Sequence, residues 1–386
     1  MDDMKSRIFM MWAVAGLAAG WAWSVQAAPY YVNDTYDAGK DIYTTAGGNN
    51  ENSGTAPSSP KATLGNLIGT VALAAGDIVY IDTGTYAPAI ISNTVVGAAG
   101  NPILFQGSTN AAAGGTVFSM VGSGSVLEIQ GKYLGVRDIQ VVGGTYGIAL
   151  LNSWFNEFVR VHAISNTSNS VKSNGADNSN AFRRCVFYSL SFGAIDYQSA
   201  SVGNYLENCI LGSQNGIGIF PAANSFSNIV HCILVAPRML SSSASIPRVM
   251  RHCVFSYSTT FGSDAETLSD VQRVNTNWVG NTVADPLFVN AAARDFHLLS
   301  AAGYATNGGG WVTNPAVGYS PAIDFGAPAT SVGTEPDPNG GRANVGLYGG
   351  TAEASKSNTN DWLFAMTFND GGTLMQTGRL EWAAST

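Results

Sequence analysis

LGVRDIQV (134–141), NEFVRVHA (156–163), NAFRRCVF (180–187), NYLENCIL (204–211), SNIVHCIL (227–234) and RVMRHCVF (248–255) are six versions of one eight-residue segment. The sixth column reads Ile139, Val161, Cys185, Cys209, Cys232 and Cys253, with steps of 22, 24, 24, 23 and 21 residues. The third column is Val136, Phe158, Phe182, Leu206, Ile229 and Met250, and the eighth is Val141, Ala163, Phe187, Leu211, Leu234 and Phe255. Asparagine opens three of the six. Self-similarity at such a period means stacked repeats that share one continuous core.

Each unit holds short β-rich pieces separated by Gly, Ser and Asn, with no helix-length amphipathic run. A second strand signal keeps the same beat at Ile148, Val171, Ile195, Ile217 and Leu240. Two registered strand columns per repeat imply a chain wound into parallel sheets, one coil per repeat. The expected fold is all-β: a right-handed parallel β-helix. A leucine-rich repeat fits less well, because no LxxLxL string occurs and the period drifts.

Composition agrees. Only 11% of the 386 residues are charged, against 45% hydrophobic, and 45 are glycine. Ordinary domains carry about 25% charged residues. A solenoid explains the deficit, since much of each strand is buried against the next coil. The net charge of -8 argues against a nucleic-acid partner, which needs clustered Lys and Arg.

Residues 1–27 read as an export signal. Lys5 and Arg7 precede an apolar run over 8–22, and Val25, Gln26 and Ala27 form a small-x-small cleavage pattern. No other stretch is long and apolar enough to span a membrane. The expectation is a secreted or cell-surface protein of bacterial type. Nothing in the sequence sets an oligomeric state.

Residues 28–75 form an N-terminal segment ending in a short helix within SPKATLGNLIGTVAL (59–73). Ser59 is the expected cap and Pro60 the first helical residue. Leu64, Leu67, Ile68 and Val71 make one apolar face, suited to capping the open end of a solenoid. The coils follow over 76–283, a closing segment over 284–355, and a linker with the start of a further β module over 356–386. In that last stretch two strand-like runs flank Asp370-Gly371-Gly372.

A helix of this kind, then GDIVYIDTGTY (76–86) and NPILFQGS (101–108), resembles the N-terminal end of the pectin lyase-like right-handed β-helix superfamily. ADPLFVNAAARDFHLLSAAG (284–303), SPAIDFGAP (320–328) and PNGGRANVGLYGGTAEAS (338–355) resemble the closing segment of secreted bacterial members. The resemblance implies the fold. For activity it implies a choice among polysaccharide lyases, glycoside hydrolases and non-enzymatic surface proteins.

Each activity needs its own residues. A galacturonan hydrolase would show adjacent aspartates beside Gly-His-Gly, yet the only adjacent aspartates are Asp2 and Asp3. A calcium-dependent lyase needs several oxygen ligands at one site. The coil acids Glu128, Asp138, Glu157, Asp177, Asp196 and Glu207 share no column, so the expected cofactor is none and calcium is not supported. Zinc is disfavoured because no CxxC pair occurs.

The basic residues are better ordered. The fourth and fifth columns hold Arg137, Arg160, Arg183, Arg184, His231, Arg251 and His252. Such a strip could bind the carboxylates of an acidic polysaccharide, supply a base and a charge neutraliser for elimination, or be ordinary solvated charge. His162, in the seventh column, is counted with these as a candidate ligand residue, though a histidine there reads first as a satisfied surface side chain. The rest of that column, Val186, Ile210, Ile233 and Val254, would be an exposed apolar stripe, so something should cover it: a loop, the C-terminal segment, a partner or sugar rings. Trp154, Phe155, Tyr188, Tyr197, Phe220 and Tyr257 lie near turns and could stack on sugars. The four cysteines share one column. In-register stacking keeps their Cβ atoms about a strand spacing apart (~4.8 Å), wider than a disulfide's ~3.8 Å, which favours buried thiols over bridges. Three readings stand: a module binding or displaying polysaccharide, a lyase or hydrolase on an acidic glycan, and a structural stalk or adhesin segment.

Overall fold

The computed structural model describes residues 27–198, 201–220, 226–240, 249–256, 267–274 and 276–358. Residues 1–26 of the expected export segment and 359–386 of the expected further module lie outside them, as does Tyr257. No helix among the described residues is long and apolar enough to cross a membrane.

The coils stack in parallel, and their strands fall into three columns, not two. The first ladder runs from Pro29–Val32 through Ile78–Ile81 and Ile103–Gly107 to Ala181–Arg183, Val202–Glu207, Phe226–Val230, Val249–Arg251 and Trp278–Val279. The second runs from Gly84–Tyr86 through Thr116–Met120 to Val186–Ser189, Ile210–Ser213, Ile233–Val235, Val254–Ser256 and Thr282–Val283. Leu134–Gly143 and Glu157–Ile164 contribute a half to each. The third ladder is the separate sheet from Ala89–Ile91 to Arg238–Leu240, seven strands among the described residues.

The eight-residue segment is therefore two strands and a corner. The corner is the fifth column. Asp138, Arg160, Arg184, Asn208, His231 and His252 all have φ between 50° and 56°. This left-handed conformation is costly for most L residues, and Asp, Asn and His tolerate it best. Four of the six corner residues are of those types. The fifth column thus answers first to backbone geometry, a cause that neither the ligand reading nor the solvated-charge reading of the sequence contained.

The inward columns are as expected. The third, sixth and eighth columns are buried in one core, and Phe158 stacks on Phe182 at 4.8 Å. All four cysteines are free and buried. Their sulfurs also do what Ile and Val could not: Cys185, Cys209, Cys232 and Cys253 each donate to the carbonyl two residues earlier at 3.3–3.4 Å. Burial pushes Cys253 up to about 12, so it stays a thiol at neutral pH.

The opening asparagines form a buried ladder. Leu134 N, Asn156 N and Asn180 N donate to the Oδ1 of Asn156, Asn180 and Asn204 at 2.9, 3.1 and 2.9 Å. Their Nδ2 atoms donate to the carbonyls of Gly131, Ser153 and Asp177 at 3.1, 3.0 and 2.9 Å. Each residue just before the first column, Tyr133, Phe155, Ser179 or Gly203, also has positive φ. A backbone turned this way cannot satisfy its neighbours through a strand ladder, and the asparagine amide does it instead.

Two local expectations need correction. The helix is Leu64–Thr70, capped by Thr63, whose side chain accepts from Asn66 N. Ser59 and Pro60 lie outside it, because Lys61 bridges to Val32 and Asn50 Oδ1 holds the N–H groups of Ala62 and Thr63. Leu64 and Leu67 are nonetheless buried in the solenoid core, with Ile68 and Val71 packed beside them. In the third ladder Ile195 pairs with Ile219, which in turn pairs with Leu240. Ile217 sits two residues earlier, opposite Gly193. A slip of two preserves the inward face, so the periodicity hid it.

Candidate ligand-binding cleft

The seventh column does face out, and it is covered. Val186, Ile210, Ile233 and Val254 form a second apolar cluster with Phe296, Leu298, Ala322, Val345 and Leu347 of the closing segment. That segment lies along the outside of the second ladder. It is tied to the neighbouring corner column: Asn208 Nδ2 donates to the carbonyls of Gly346 and Gly349 at 3.1 and 3.2 Å. His231 Nε2 accepts from Ala327 N at 3.0 Å, and His252 Nδ1 lies 3.2 Å from the Phe325 carbonyl.

Where the stripe turns polar, at Gln140 and His162, the cover stops and a cavity of about 240 Å³ opens. Its floor is Gln140, His162 and the corner residues Asp138, Arg160 and Arg184. Its walls are the 108–116 loop on one side and Leu347, Tyr348, Thr351 and Glu353 on the other. Arg184 also lines a second cavity of about 190 Å³ with Arg183, Glu207, Asn208 and His231. His231 and Thr330 continue into a third, about 700 Å³, with Tyr205, Arg251 and His252. The three cavities follow one another along the corner, with Arg184 lining the first two and His231 and Thr330 the last two. Six corner residues at ~4.8 Å per coil span roughly 24 Å.

The structure divides the expected site residues. Arg137 pairs with Glu157 at 3.2 Å. Arg183 pairs with Glu157 at 3.2 Å and with Glu207, over the Tyr205 ring. Arg160 grips Asp138 through two bonds of 2.6 and 2.7 Å, and this contact raises the guanidinium's pKa further. These three are already neutralised. Arg184 and Arg251 have no carboxylate partner among the described residues. His231 is buried, not displayed on the surface: the closing segment encloses it, and burial and then the neighbouring His252 lower its pKa. Burial, then Arg342, lowers His252. His162 is not an ordinary surface histidine either. It is partly enclosed in the first cavity, and desolvation, opposed by the Asp138 carboxylate but aided by the positive charge of Arg294 and Arg160, pushes it down to about 4.

Of the aromatic candidates, Tyr197 is buried in the core. Trp154 lies under Lys132 and Phe155 stacks on Tyr133. Tyr188 packs against the closing-segment cluster. The sequence reading missed Tyr348, which lines the first cavity and stacks at 3.6 Å on His297, a buried histidine held by Asp295 at 2.6 Å. Its only sequence signal was the closing-segment motif itself. No group of three or more His, Cys, Asp or Glu side chains among the described residues is placed to hold a metal ion. Buried Asp177 instead spends both oxygens on Ser153, Ser173 and Gly175.

No protein-family profile matches the chain. No curated protein matches it. The fold is a parallel β-helix. Among solved structures it is similar to the pectate lyase Pel9A, at 13% identity over 83% of this chain and 97% of that one, TM-score 0.48. It is also similar to an alginate lyase from Paenibacillus sp. str. FPU-7, at 14% identity over 53% and 85%, TM-score 0.37. A rhamnogalacturonan lyase aligns at 16% identity over 60% and 68%, TM-score 0.38. These likenesses concern the fold, and no residue role is taken from them.

Proposed function

We propose that the protein binds an acidic polysaccharide laid along the corner cleft. The observation that carries this reading is that two arginines lining the corner cavities, Arg184 and Arg251, have no carboxylate partner among the described residues. Guanidinium groups of this kind suit carboxylates. Tyr205, with Arg183 over its ring, lines the third cavity and adds aromatic surface there. The export signal read in residues 1–27 would put the protein within reach of such polymers outside the cell. Affinity electrophoresis in gels containing pectate, alginate or a neutral glucan tests the proposal. Retardation by an acidic polymer, reduced by Arg251→Gln and weakened by salt, is the expected result. Equal mobility in all gels would refute it.

One observation favours a second reading, cleavage by elimination. His162, held neutral, lines a half-open cavity with Arg184 and Tyr348, the residue types of a base, a charge neutraliser and a proton donor. Ultraviolet-absorbing unsaturated products, abolished by His162→Ala, would establish it. Their absence with retained binding would leave the binding module.

A further inference from the structure

Three side chains hold residues 325–327 of the closing segment. His252 Nδ1 lies 3.2 Å from the Phe325 carbonyl. A carbonyl only accepts, so that Nδ1 carries a proton. Arg342 Nε donates to the Gly326 carbonyl at 3.0 Å, and its Nη2 to the Phe325 carbonyl at 3.3 Å. The third contact runs the other way. Ala327 N donates to His231 Nε2 at 3.0 Å. A backbone N–H can only donate, so His231 Nε2 must offer a bare lone pair. His231 is therefore a neutral imidazole with its proton on Nδ1.

A second proton on His231 would be badly placed. The His252 ring lies 6.0 Å away on the next coil, centre to centre. Arg251 lines the third cavity with it, Arg183 and Arg184 line the second, and Arg342 adds positive charge from the closing segment. Glu207 is the one carboxylate that favours the charged form, and it is already paired with Arg183. Asp324, next to Phe325, accepts from Ser357 Oγ at 2.8 Å. Protonating Nε2 sets two N–H donors face to face with Ala327 and buries a cation among cations.

We propose that His231 is an acid-sensitive latch, whose protonation releases residues 325–331 from the coils and opens the second and third cavities. Thr330 walls both cavities and Ala327 walls the third. The latch does not depend on what those cavities bind. Burial and then His252, with Arg342 adding to them against Glu207, lower the pKa of His231 from the usual histidine value of about 6.5. The latch is thus fully closed above that value and weakens as pH falls below it. Acid acts oppositely on Glu335, which ties Asn344 and Gly350 within the same segment, so the release is confined to the histidine-held stretch.

The test is hydrogen–deuterium exchange of the full chain at pH 8 and pH 5, corrected for the pH dependence of the chemical step. A released imidazole titrates at about 6.5, so linkage favours opening at pH 5 by up to about thirtyfold over pH 8. The peptide carrying Ala327 should lose about tenfold to thirtyfold in protection, while 344–350 and the coils keep theirs. His231→Gln supplies an amide oxygen that accepts from Ala327 N and does not titrate, and it should hold its protection at both pH values. Arg160 and Arg184 adopt the same corner conformation at φ 53° and 51°, so an unbranched side chain is tolerated there. Imidazole nitrogen-15 shifts give a check that needs no variant: at pH 8 His231 should be the Nδ1–H tautomer. Equal protection of the Ala327 peptide at both pH values, the same loss in His231→Gln, a loss shared by the coils, or an Nε2–H tautomer at pH 8 would each overturn the latch.

Discussion

Asn180→Ala tests the asparagine ladder. The substitution removes two hydrogen bonds, from Asn156 N at 3.1 Å and to the Ser153 carbonyl at 3.0 Å. Asn156 and Asn180 are buried, so water cannot replace what is lost. Each stranded group costs about 1–3 kcal/mol, which gives about 2–6 kcal/mol in all. Set against a typical total of about 5–15 kcal/mol, that is a large share. Urea denaturation of Asn180→Ala should show a much lower midpoint. Asn215→Ala, at an exposed turn whose amide reaches only the Leu190 carbonyl, should change stability by about 0.5 kcal/mol or less. Asn156→Ala removes a different pair, from Leu134 N and to the Gly131 carbonyl, and should cost a comparable amount. If Asn180→Ala proves no more harmful than Asn215→Ala, the ladder is not what holds the turns between coils.

Glu335 is buried under the stretch that walls the first cavity, accepting from Asn344 N and Gly350 N at 2.7 Å each. Burial raises its pKa to about 7, above the unfolded value, so its contribution is full below about pH 4.5 and is lost as pH rises through 7. The melting temperature should fall between pH 5 and 8, and Glu335→Gln should flatten that slope. His162 has the opposite sign. Its folded pKa, about 4, lies below the unfolded value of about 6.5, so its contribution is present above that value and lost as pH falls toward 4. A nuclear magnetic resonance titration should find its imidazole still neutral at pH 5, and a midpoint near 6.5 would refute the enclosure described for it. Ile233→Ala, beneath the closing segment, should cost about 2–5 kcal/mol and expose residues 328–341 to proteolysis before the coils unfold. Cleavage at the wild-type rate would show that the apolar stripe does not hold the segment down.

What the sequence made legible follows from what repeats. The third, sixth and eighth columns recur with every coil, because each side chain stacks on its own kind in the next one, and periodicity alone places Phe182 or Cys209 in the core. The corner was hidden because its cause is conformational. Asp138, Asn208 and His252 look like chemistry in a string of letters, yet they share a φ near 50° that those residue types tolerate. The same bend makes two strand ladders out of a segment that reads as one. The apolar stripe at Val186, Ile210, Ile233 and Val254 announced a cover but not its identity. Phe296, Ala322 and Val345 do not repeat, and they lie far along the chain from the coils they touch.

The site was partly legible for the same reason. Arg183 and Arg184 are adjacent letters in one strip, but only coordinates show that Arg183 is neutralised by Glu157 and Glu207 while Arg184 keeps a buried donor unpaired. The cavity exists because two patterns end together. The seventh column changes from aliphatic to Gln140 and His162, and there the closing segment's apolar cover gives way to Tyr348 and Thr351. A solenoid whose outer stripe stayed aliphatic through these coils would have no such opening. The functional information therefore lies in where the repeat breaks its own rule: the coils supply the rigid wall, and the one non-repeating segment decides which part of it a ligand can reach.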